Sequence, residues 1–570
     1  MKRTETALIL APLLAGASLL QGCATPPAPQ GPPQLDAKAQ AQCAALAGMV
    51  IPAAVLALPG IGSGPATVDS AAYTRATMMN LVDRGPTPAA MINPATPNFC
   101  KVLGHIAPVD PTAPPINFQV NLPETWNGRS VQYGGGGFNG VLITGLGLLP
   151  AARYDGPAPL AQGYVTVGTD SGHQNQPGQP PQVFALNDEA LLNFAHASYR
   201  KVREVSVQLM QRHYGRAPEK LYFVGSSEGG REGVTMAQRY PEAFDGIFSR
   251  VPVIHWTGLQ HVGLRDGLAT VGDGWLRPTQ IKLVHDAVLA ACDTADGLFD
   301  GLVSDPVACR KRFDVTKLRC TAEPTDFCLT GPQIKAVQTL HSALRFDFDL
   351  ANGVREYPGR GPSGENTPSS GPTGGWGAWW LGSAPPAFPP IPANGIGWFY
   401  GAGAIQYFYA RNPQLDVRNY KMADHKARVL EVSALMDSTN PDLSAFAARG
   451  GKLVMLENMA DYAQSPYAGV AYYESVRARM GAEKVDAFMR LYTAPGVDHV
   501  GTGGPANADI FGALVQWVEK GQPPTGLTLV EQLPTLPFKV QRSRPLCTWP
   551  LVPRFKGGLV NDAATFDCQP

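Results

Sequence analysis

The chain has no charge surplus: 46 Lys and Arg stand against 46 Asp and Glu, and no basic run stands out. Binding to nucleic acid or to a strongly anionic membrane therefore has no electrostatic basis in the sequence. Long apolar runs are equally scarce. Beyond the first 20 residues or so, no segment is long enough for a transmembrane helix. Nothing repeats with a period of about 20 to 50 residues, which argues against a solenoid or propeller. At 570 residues the chain exceeds one ordinary domain and has room for a large core plus an inserted domain.

What the sequence does have begins at its N-terminus. Lys2 and Arg3 precede an apolar run, Ala7 to Leu20, that is too short to span a bilayer and reads as the h-region of a signal peptide. It ends in Leu20-Gln21-Gly22-Cys23, which resembles the lipobox of bacterial lipoproteins, with Cys23 as the lipidated residue; ordinary signal cleavage nearby is the alternative. Residues 1–23 are thus expected to be a lipoprotein-type signal peptide. Residues 24–42, rich in Pro, Gln and Ala, are expected to be a disordered tether. The expected location is outside the cytoplasm: periplasmic, anchored to the outer membrane as a lipoprotein, or secreted. Any membrane association would run through this N-terminal anchor. Nine cysteines less Cys23 leave eight, an even number that suits an oxidising compartment. Local pairs suggest themselves at Cys43–Cys100, Cys292–Cys309, Cys320–Cys328 and Cys547–Cys568, although spacing alone leaves the connectivity open.

Apolar, β-rich runs at Ser130 to Tyr133, Tyr164 to Val167, Leu221 to Val224, Gly246 to Phe248, Leu453 to Leu456 and Phe488 to Tyr492 predict strands. Between the second and third, Tyr199, Val202, Val205 and Leu209 fall on one face of a helix. Such alternation predicts an α/β fold with a mostly parallel sheet. The alternation stops between about Val253 and Asp437, where four cysteines, a Gly/Pro/Ser-rich run and a Trp cluster lie. An insertion between two core strands accounts for this. The expected organisation is a core of residues 43–252 and 438–570 with an inserted lid domain, 253–437.

Gly225-Ser-Ser-Glu-Gly229 is a G-x-S-x-G pentapeptide set directly after an apolar strand and before a proline-free helical segment, Gly230 to Tyr240. In an α/β-hydrolase this is the nucleophile elbow, a sharp turn that lifts a serine hydroxyl above the sheet. Ser227 is the candidate nucleophile. In that fold the acid and base follow in chain order on loops after strands. His499 follows the Phe488 to Tyr492 strand and is the candidate base. Asp461 follows the Leu453 to Leu456 strand and is the candidate acid, with Asp437 and Asp498 as rivals; Asp498, adjacent to the histidine, is poorly placed to orient it. Gly134-Gly-Gly-Gly137 follows the first strand and fits an oxyanion-binding loop. The backbone N–H groups of Gly137 and Glu228 are the candidate donors.

With these motifs goes a wider resemblance. The chain resembles the tannase/feruloyl esterase family, which also includes terephthalate-monoester hydrolases, from about Cys43 to the C-terminus. The carriers are Gly134-Gly-Gly-Gly-Phe-Asn-Gly140, Gly225-Ser-Ser-Glu-Gly-Gly-Arg-Glu-Gly233, Ala237-Gln-Arg-Tyr-Pro241, Trp379-Trp-Leu-Gly-Ser383, Pro441-Asp-Leu-Ser-Ala-Phe446 and Pro495-Gly-Val-Asp-His499. The resemblance implies a Ser227–His499–Asp461 triad and the four cysteine pairs above. It also implies a structural Ca²⁺ in the lid, held by Asp293, Asp296 and Asp300 with the carbonyls of Leu298 and Leu302. Their spacing does not match an EF-hand, but an all-oxygen set suits this hard cation.

Two departures from the family pattern stand out. Relatives commonly carry a disulfide between a cysteine just before the nucleophile and one just after the histidine; here those positions are Ser226 and Val500. Packing and hydrogen bonds must then align the triad, with more play between Ser227 and His499. Members that select an anionic terephthalate monoester use a lid arginine, whereas the window Ala384 to Tyr400 holds no Arg or Lys. It offers Phe388, Trp398, Phe399 and Tyr400 instead. Trp379, Trp398 and Phe399 are the candidate substrate contacts. The expected function is a monomeric serine esterase acting on small aromatic esters of feruloyl, galloyl or benzoyl type. Terephthalate-monoester hydrolysis, or ligand binding without turnover on the same fold, are the alternatives.

Overall fold

The computed structural model describes residues 37–82, 91–367 and 374–570. The expected signal peptide, Cys23 and residues 24–36 of the expected tether lie outside them, whereas residues 37–42 of that tether fall in the helix Ala37–Ala44. Among the described residues no helix is long and apolar enough to cross a membrane.

An 11-stranded mixed sheet forms the centre. Its strands are β1 (Val50–Ile51), β2 (Ala66–Thr74), β3 (Phe99–Ile106), β4 (Ile116–Pro123), β5 (Arg129–Tyr133), β6 (Val165–Thr169), β7 (Lys220–Ser226), β8 (Gly246–Arg250), β9 (Lys452–Asn458), β10 (Met489–Ala494) and β11 (Cys547–Thr548). In space they run β1-β2-β3-β4-β6-β5-β7-β8-β9-β10-β11. From β6 to β10 neighbours are parallel. The β1 to β4 end, its junction with β6, and β11 are antiparallel.

The parallel strands read as nearly unbroken apolar runs because both faces of the sheet are covered. On β7 the side chains alternate between two cores. Phe223 packs with Tyr199, Val202, Val205 and Leu209 of the helix α1 (Ser198–Tyr214). Tyr222 and Val224 pack on the other side with Phe511, Leu514 and Trp517 of the helix Ile510–Lys520. All six strands expected from the sequence are present, each within two residues of its predicted ends. The antiparallel wing β2 to β4 was not anticipated. On β2 the positions after Val68 are exposed or half-exposed and include Asp69, Ser70 and Thr74, so the apolar signal is diluted.

Between β8 and β9 the chain leaves the sheet for about 200 residues. It forms helices at Trp256–Ala269, Pro278–Cys292, Gly331–His341, Ile396–Ala404 and Lys426–Met436, with one short ribbon pairing Leu344–Arg345 to Glu356–Tyr357. Leu276, Ile281, Ile334, Val337, Trp376 and Trp380 of this segment make a core that also takes in Tyr462 from the loop after β9. Disulfides join Cys292–Cys309 and Cys320–Cys328 within it, Cys43–Cys100 at the β3 edge, and Cys547–Cys568 at the C-terminus. These are the four pairs that the family resemblance implies.

The sheet meets the helix after β7 at van der Waals limits. A Cβ on Gly225 would lie 2.2 Å from the carbonyl oxygen of Gly229, and backbone cannot yield as a side chain can. Gly225→Ala should cost about 3 kcal/mol. Gly136→Ala, whose Cβ would meet nothing within 4 Å, should be nearly neutral. Comparing the two variants by thermal unfolding checks this; equal melting temperatures would contradict it.

Candidate active site

Strand β7 ends at Ser226, and the helix α2 (Glu228–Arg239) begins two residues later. Ser227 alone makes the turn, with φ 61° and ψ −119°. Such a backbone costs a non-glycine residue about 1–3 kcal/mol and persists only when its surroundings fix it. Here they do. Ser227 N–H donates to the Arg250 carbonyl (3.0 Å), and the Ser227 carbonyl accepts from Arg231 (3.1 Å) and Val253 (3.2 Å). A Cβ on Gly229 would strike the Gly135 carbonyl oxygen at 2.6 Å, so glycine permits the close crossing of this helix and the Gly134–Gly137 loop.

Two loops at the same edge of the sheet bring their side chains to this serine. His499 Nε2 lies 3.0 Å from Ser227 Oγ, and its Nδ1 lies 2.7 Å from Asp461 Oδ2. Asp461 is 2% exposed. Its second oxygen accepts from the backbone N–H of Ala463 (2.8 Å) and Gln464 (3.0 Å), which fixes the carboxylate's orientation. The rivals are occupied elsewhere. Asp498 Oδ1 accepts from the amides of Val500, Gly501 and Thr502, shaping the turn that carries His499. Asp437 accepts from Thr257 N–H (2.7 Å) and from the Ser433 hydroxyl, inside the inserted segment's base.

The glycine loop beside the serine is committed at three of its four amides. Gly134 N–H donates to Val224 O, Gly135 N–H to Glu232 Oε2 (3.0 Å), and Gly136 N–H to Asn139 Oδ1 (2.6 Å). Gly137, at φ 61°, has no partner for its N–H among the described residues, and neither has Glu228 at the start of α2. Two amides, one in the glycine loop and one directly after Ser227, are thus left as free donors. Glu232 and Asn139 hold the loop: Asn139 Nδ2 donates to Glu232 Oε1 (2.8 Å) and to the Tyr199 hydroxyl (2.7 Å). Sequence reasoning missed both residues, since an inward-facing polar side chain, on a helix at Glu232 or in a loop at Asn139, leaves no pattern of its own.

Aromatic side chains of the inserted segment reach the same place. Trp379, partly buried, has its ring centroid 6.0 Å from that of His499 and 5.9 Å from that of Tyr462. The Tyr400 hydroxyl lies 3.2 Å from where a Gly137 Cβ would sit. Phe399 packs on Tyr400, with ring centroids 6.1 Å apart. Trp398 departs from expectation: it is 0% exposed, stacked edge-on against Phe388 and pressed on Gly267, where a Cβ would meet its ring at 2.0 Å. It is a core residue of the inserted segment and no wall of a pocket. In α6 (Ile396–Ala404), counted in chain order after α3 (Trp256–Ala269), α4 (Pro278–Cys292) and α5 (Gly331–His341), positions 398 and 400 face different ways, as helical periodicity requires.

The acidic loop after α4 gathers oxygen groups. Asp293 accepts from the amides of Asp300 (3.2 Å) and Gly301 (2.9 Å), Asp296 from that of Leu298 (3.0 Å), and Asp300 from that of Leu302 (3.1 Å) while pairing with Arg544. Burial, with the neighbouring carboxylates adding to it, pushes the pKa values of Asp293 and Asp296 up. The donor chemistry is that of a hard cation. The carboxylates are neighbours without converging on one point: among the described residues no three His, Cys, Asp or Glu side chains stand in metal-ligating arrangement.

A mixed α/β sheet, with a serine on a strained strand-to-helix turn and a histidine and carboxylate in hydrogen-bond succession beside it, is an arrangement that esterases share with other serine hydrolases. Residues 100–569 match the family described as "Tannase and feruloyl esterase", and the chain belongs to that family. It is 36% identical to an uncharacterized esterase of Agrobacterium fabrum, over 92% of each chain. It is 30% identical to the mono(2-hydroxyethyl) terephthalate hydrolase of Piscinibacter sakaiensis, over 85% of this chain and 87% of that one. Feruloyl esterase B from Aspergillus oryzae shares the fold, with a TM-score of 0.73 at 24% identity, covering 93% of this chain and all of that one.

Burial pushes the Asp437 carboxyl up to about 6 from an ordinary 3.8. An acid whose folded pKa is raised holds a proton that the unfolded chain has released. Its contribution therefore declines as pH rises from about 4 through about 6. The shift corresponds to roughly 3 kcal/mol. Asp437→Asn should flatten the fall in melting temperature between pH 4 and 6 relative to the parent; an unchanged slope would contradict the assignment.

Proposed function

We propose that the protein is an exported serine esterase that hydrolyses carboxylic esters of aromatic acids through an acyl-enzyme. The observation that carries this is the unbroken path from Ser227 Oγ to His499 Nε2 (3.0 Å) and from His499 Nδ1 to Asp461 (2.7 Å). His499 takes the hydroxyl proton as Ser227 attacks the ester carbonyl. Asp461 holds the imidazole in the tautomer that presents Nε2 as acceptor, and stabilises the imidazolium. The developing oxyanion is received by the N–H groups of Gly137 and Glu228. The alcohol leaves with the proton from His499, and water repeats the sequence on the acyl-enzyme.

Residues 253–437 act as a lid over this site. Trp379 and Tyr400, both from this segment, lie beside His499 and Gly137 and supply an aromatic surface for the acyl group. The window Ala384 to Tyr400 has no cation, which favours a neutral aromatic acyl group over a dicarboxylate monoester. Export is supported by the four disulfides, which suit an oxidising compartment. The loop of Asp293, Asp296 and Asp300, with the carbonyls of Leu298 and Leu302, would hold Ca²⁺ once its carboxylates, which do not converge on one point in the structure, close around the ion. The ion would offset the like-charge crowding there and stabilise the lid; it has no part in the chemistry.

Acid release from methyl ferulate, methyl gallate and mono(2-hydroxyethyl) terephthalate tests the reading. The two neutral esters should be turned over, and Ser227→Ala should lower kcat by roughly 10⁴-fold or more. Activity on the terephthalate monoester alone would contradict the acyl preference, and full activity in Ser227→Ala would contradict the nucleophile. Separately, calcium should raise the melting temperature and a chelator lower it, with Asp296→Asn abolishing the difference. A melting temperature indifferent to both would remove the metal.

A further inference from the structure

Ser227 and His499 sit on segments 272 residues apart, and no covalent link joins their neighbours Ser226 and Val500. One side chain spans them. Arg250, the last residue of β8, donates from Nη1 to Ser226 Oγ (3.2 Å) and from Nη2 to the His499 carbonyl (3.1 Å). Its own carbonyl accepts the Ser227 N–H at 3.0 Å. The register places Arg250 opposite Ser226 on β7 and opposite Leu456 on β9, so its backbone is fixed on both sides.

A guanidinium that is 6% exposed is costly unless opposite charge and hydrogen bonds compensate it. Asp498 and Asp461 supply the charge from the two loops that carry the base and the acid. The chain also leaves space for the group. Gly501, two residues past the base, stands at φ 96°, and a Cβ there would come within 2.8 Å of Arg250 Nη2. So placed, the guanidinium is engaged by the Ser226 hydroxyl and the His499 carbonyl.

We infer that Arg250 is a positioning residue, a buried bridge that holds the His499 loop against the nucleophile strand and so sets the Ser227–His499 distance. The inference rests on the triad reading above. Its planar, multi-donor head does what a point charge does less well: it fixes two acceptors on different segments at once. Because a misplacement of about 1 Å can cost 100-fold in rate, the bridge acts on the chemical step and leaves substrate binding alone.

The test uses a fluorophosphonate, which reports nucleophile activation without requiring the natural ester. The purified full-length protein is treated with it, and the maximal labelling rate and the half-saturating concentration are measured separately. In Arg250→Met the maximal rate should fall by about 10- to 100-fold while half-saturation moves less than about threefold, and Arg250→Lys should recover part of the loss. An unchanged maximal rate, or a change confined to half-saturation, would overturn the inference. If Arg250→Met does not fold, Ser226→Ala decides, because it removes one arm of the bridge and keeps the cation. A slower maximal rate at an unchanged melting temperature supports the bridge, and an unchanged rate rejects it. Absence of label on Ser227 in the parent would sink the triad reading itself, which keeps the two failures apart.

Discussion

The arrangement depends on the backbone of one residue. Ser227 occupies φ 61° and ψ −119°, a conformation that L side chains rarely adopt, because β7 must end and α2 must begin within a single residue. That turn is paid for by packing that only glycine permits. Gly225, Gly229 and Gly230 let the helix lie on β7, the Gly134–Gly137 loop and β8 with backbone contacts that a methyl group would break. With the turn fixed, the hydroxyl stands above the sheet edge and the amide of Glu228 is left without an internal partner among the described residues. A free hydroxyl and a free donor at one point follow from the same geometry.

Around this turn lies a layer of buried and half-buried polar groups that hydrogen-bond to the chain itself. Glu232 and Asn139 spend their hydrogen bonds on the glycine loop. Asp498 closes the turn after His499, and Arg250 ties that turn to β7. Buried polar groups of this kind cost free energy when unpaired and specify a unique geometry when paired. The polar layer and the glycine crossings therefore do complementary work: one prevents collapse of the loops into the sheet, the other brings them close enough to act together.

Much of this is legible in the sequence where local pattern and chemistry coincide. Ser227 and His499 each follow an apolar strand run, and the turn residues around Ser227 admit few other folds. Asp461 is less so, since two other aspartates lie in comparable loops; family resemblance selects it, and the hydrogen bonds of Asp437 and Asp498 show where those rivals are engaged. The wing β2 to β4 escapes because β2 carries Thr67, Asp69 and Ser70 on exposed or half-exposed positions, and β4, though largely buried, breaks its apolar run with Asn117, Gln119 and Asn121. Trp398 misleads for a different reason. Aromatic residues line pockets and fill cores alike, and only the helix phase that buries 398 and turns 400 toward Gly137 separates the two. Arg250 leaves a faint trace, a charge closing an otherwise apolar strand, which reads equally well as the strand reaching solvent.

The central claim is that Ser227 Oγ, on the strained turn after β7, is the atom to which the acyl group is transferred. Rapid acid quench during turnover of an aromatic ester, followed by peptide mass mapping, tests it most directly. The account predicts an acyl adduct on the peptide containing Ser227, which is absent when His499 is replaced by Ala. An adduct on any other residue, or steady turnover with no covalent species on Ser227 under conditions where deacylation limits the rate, would contradict it.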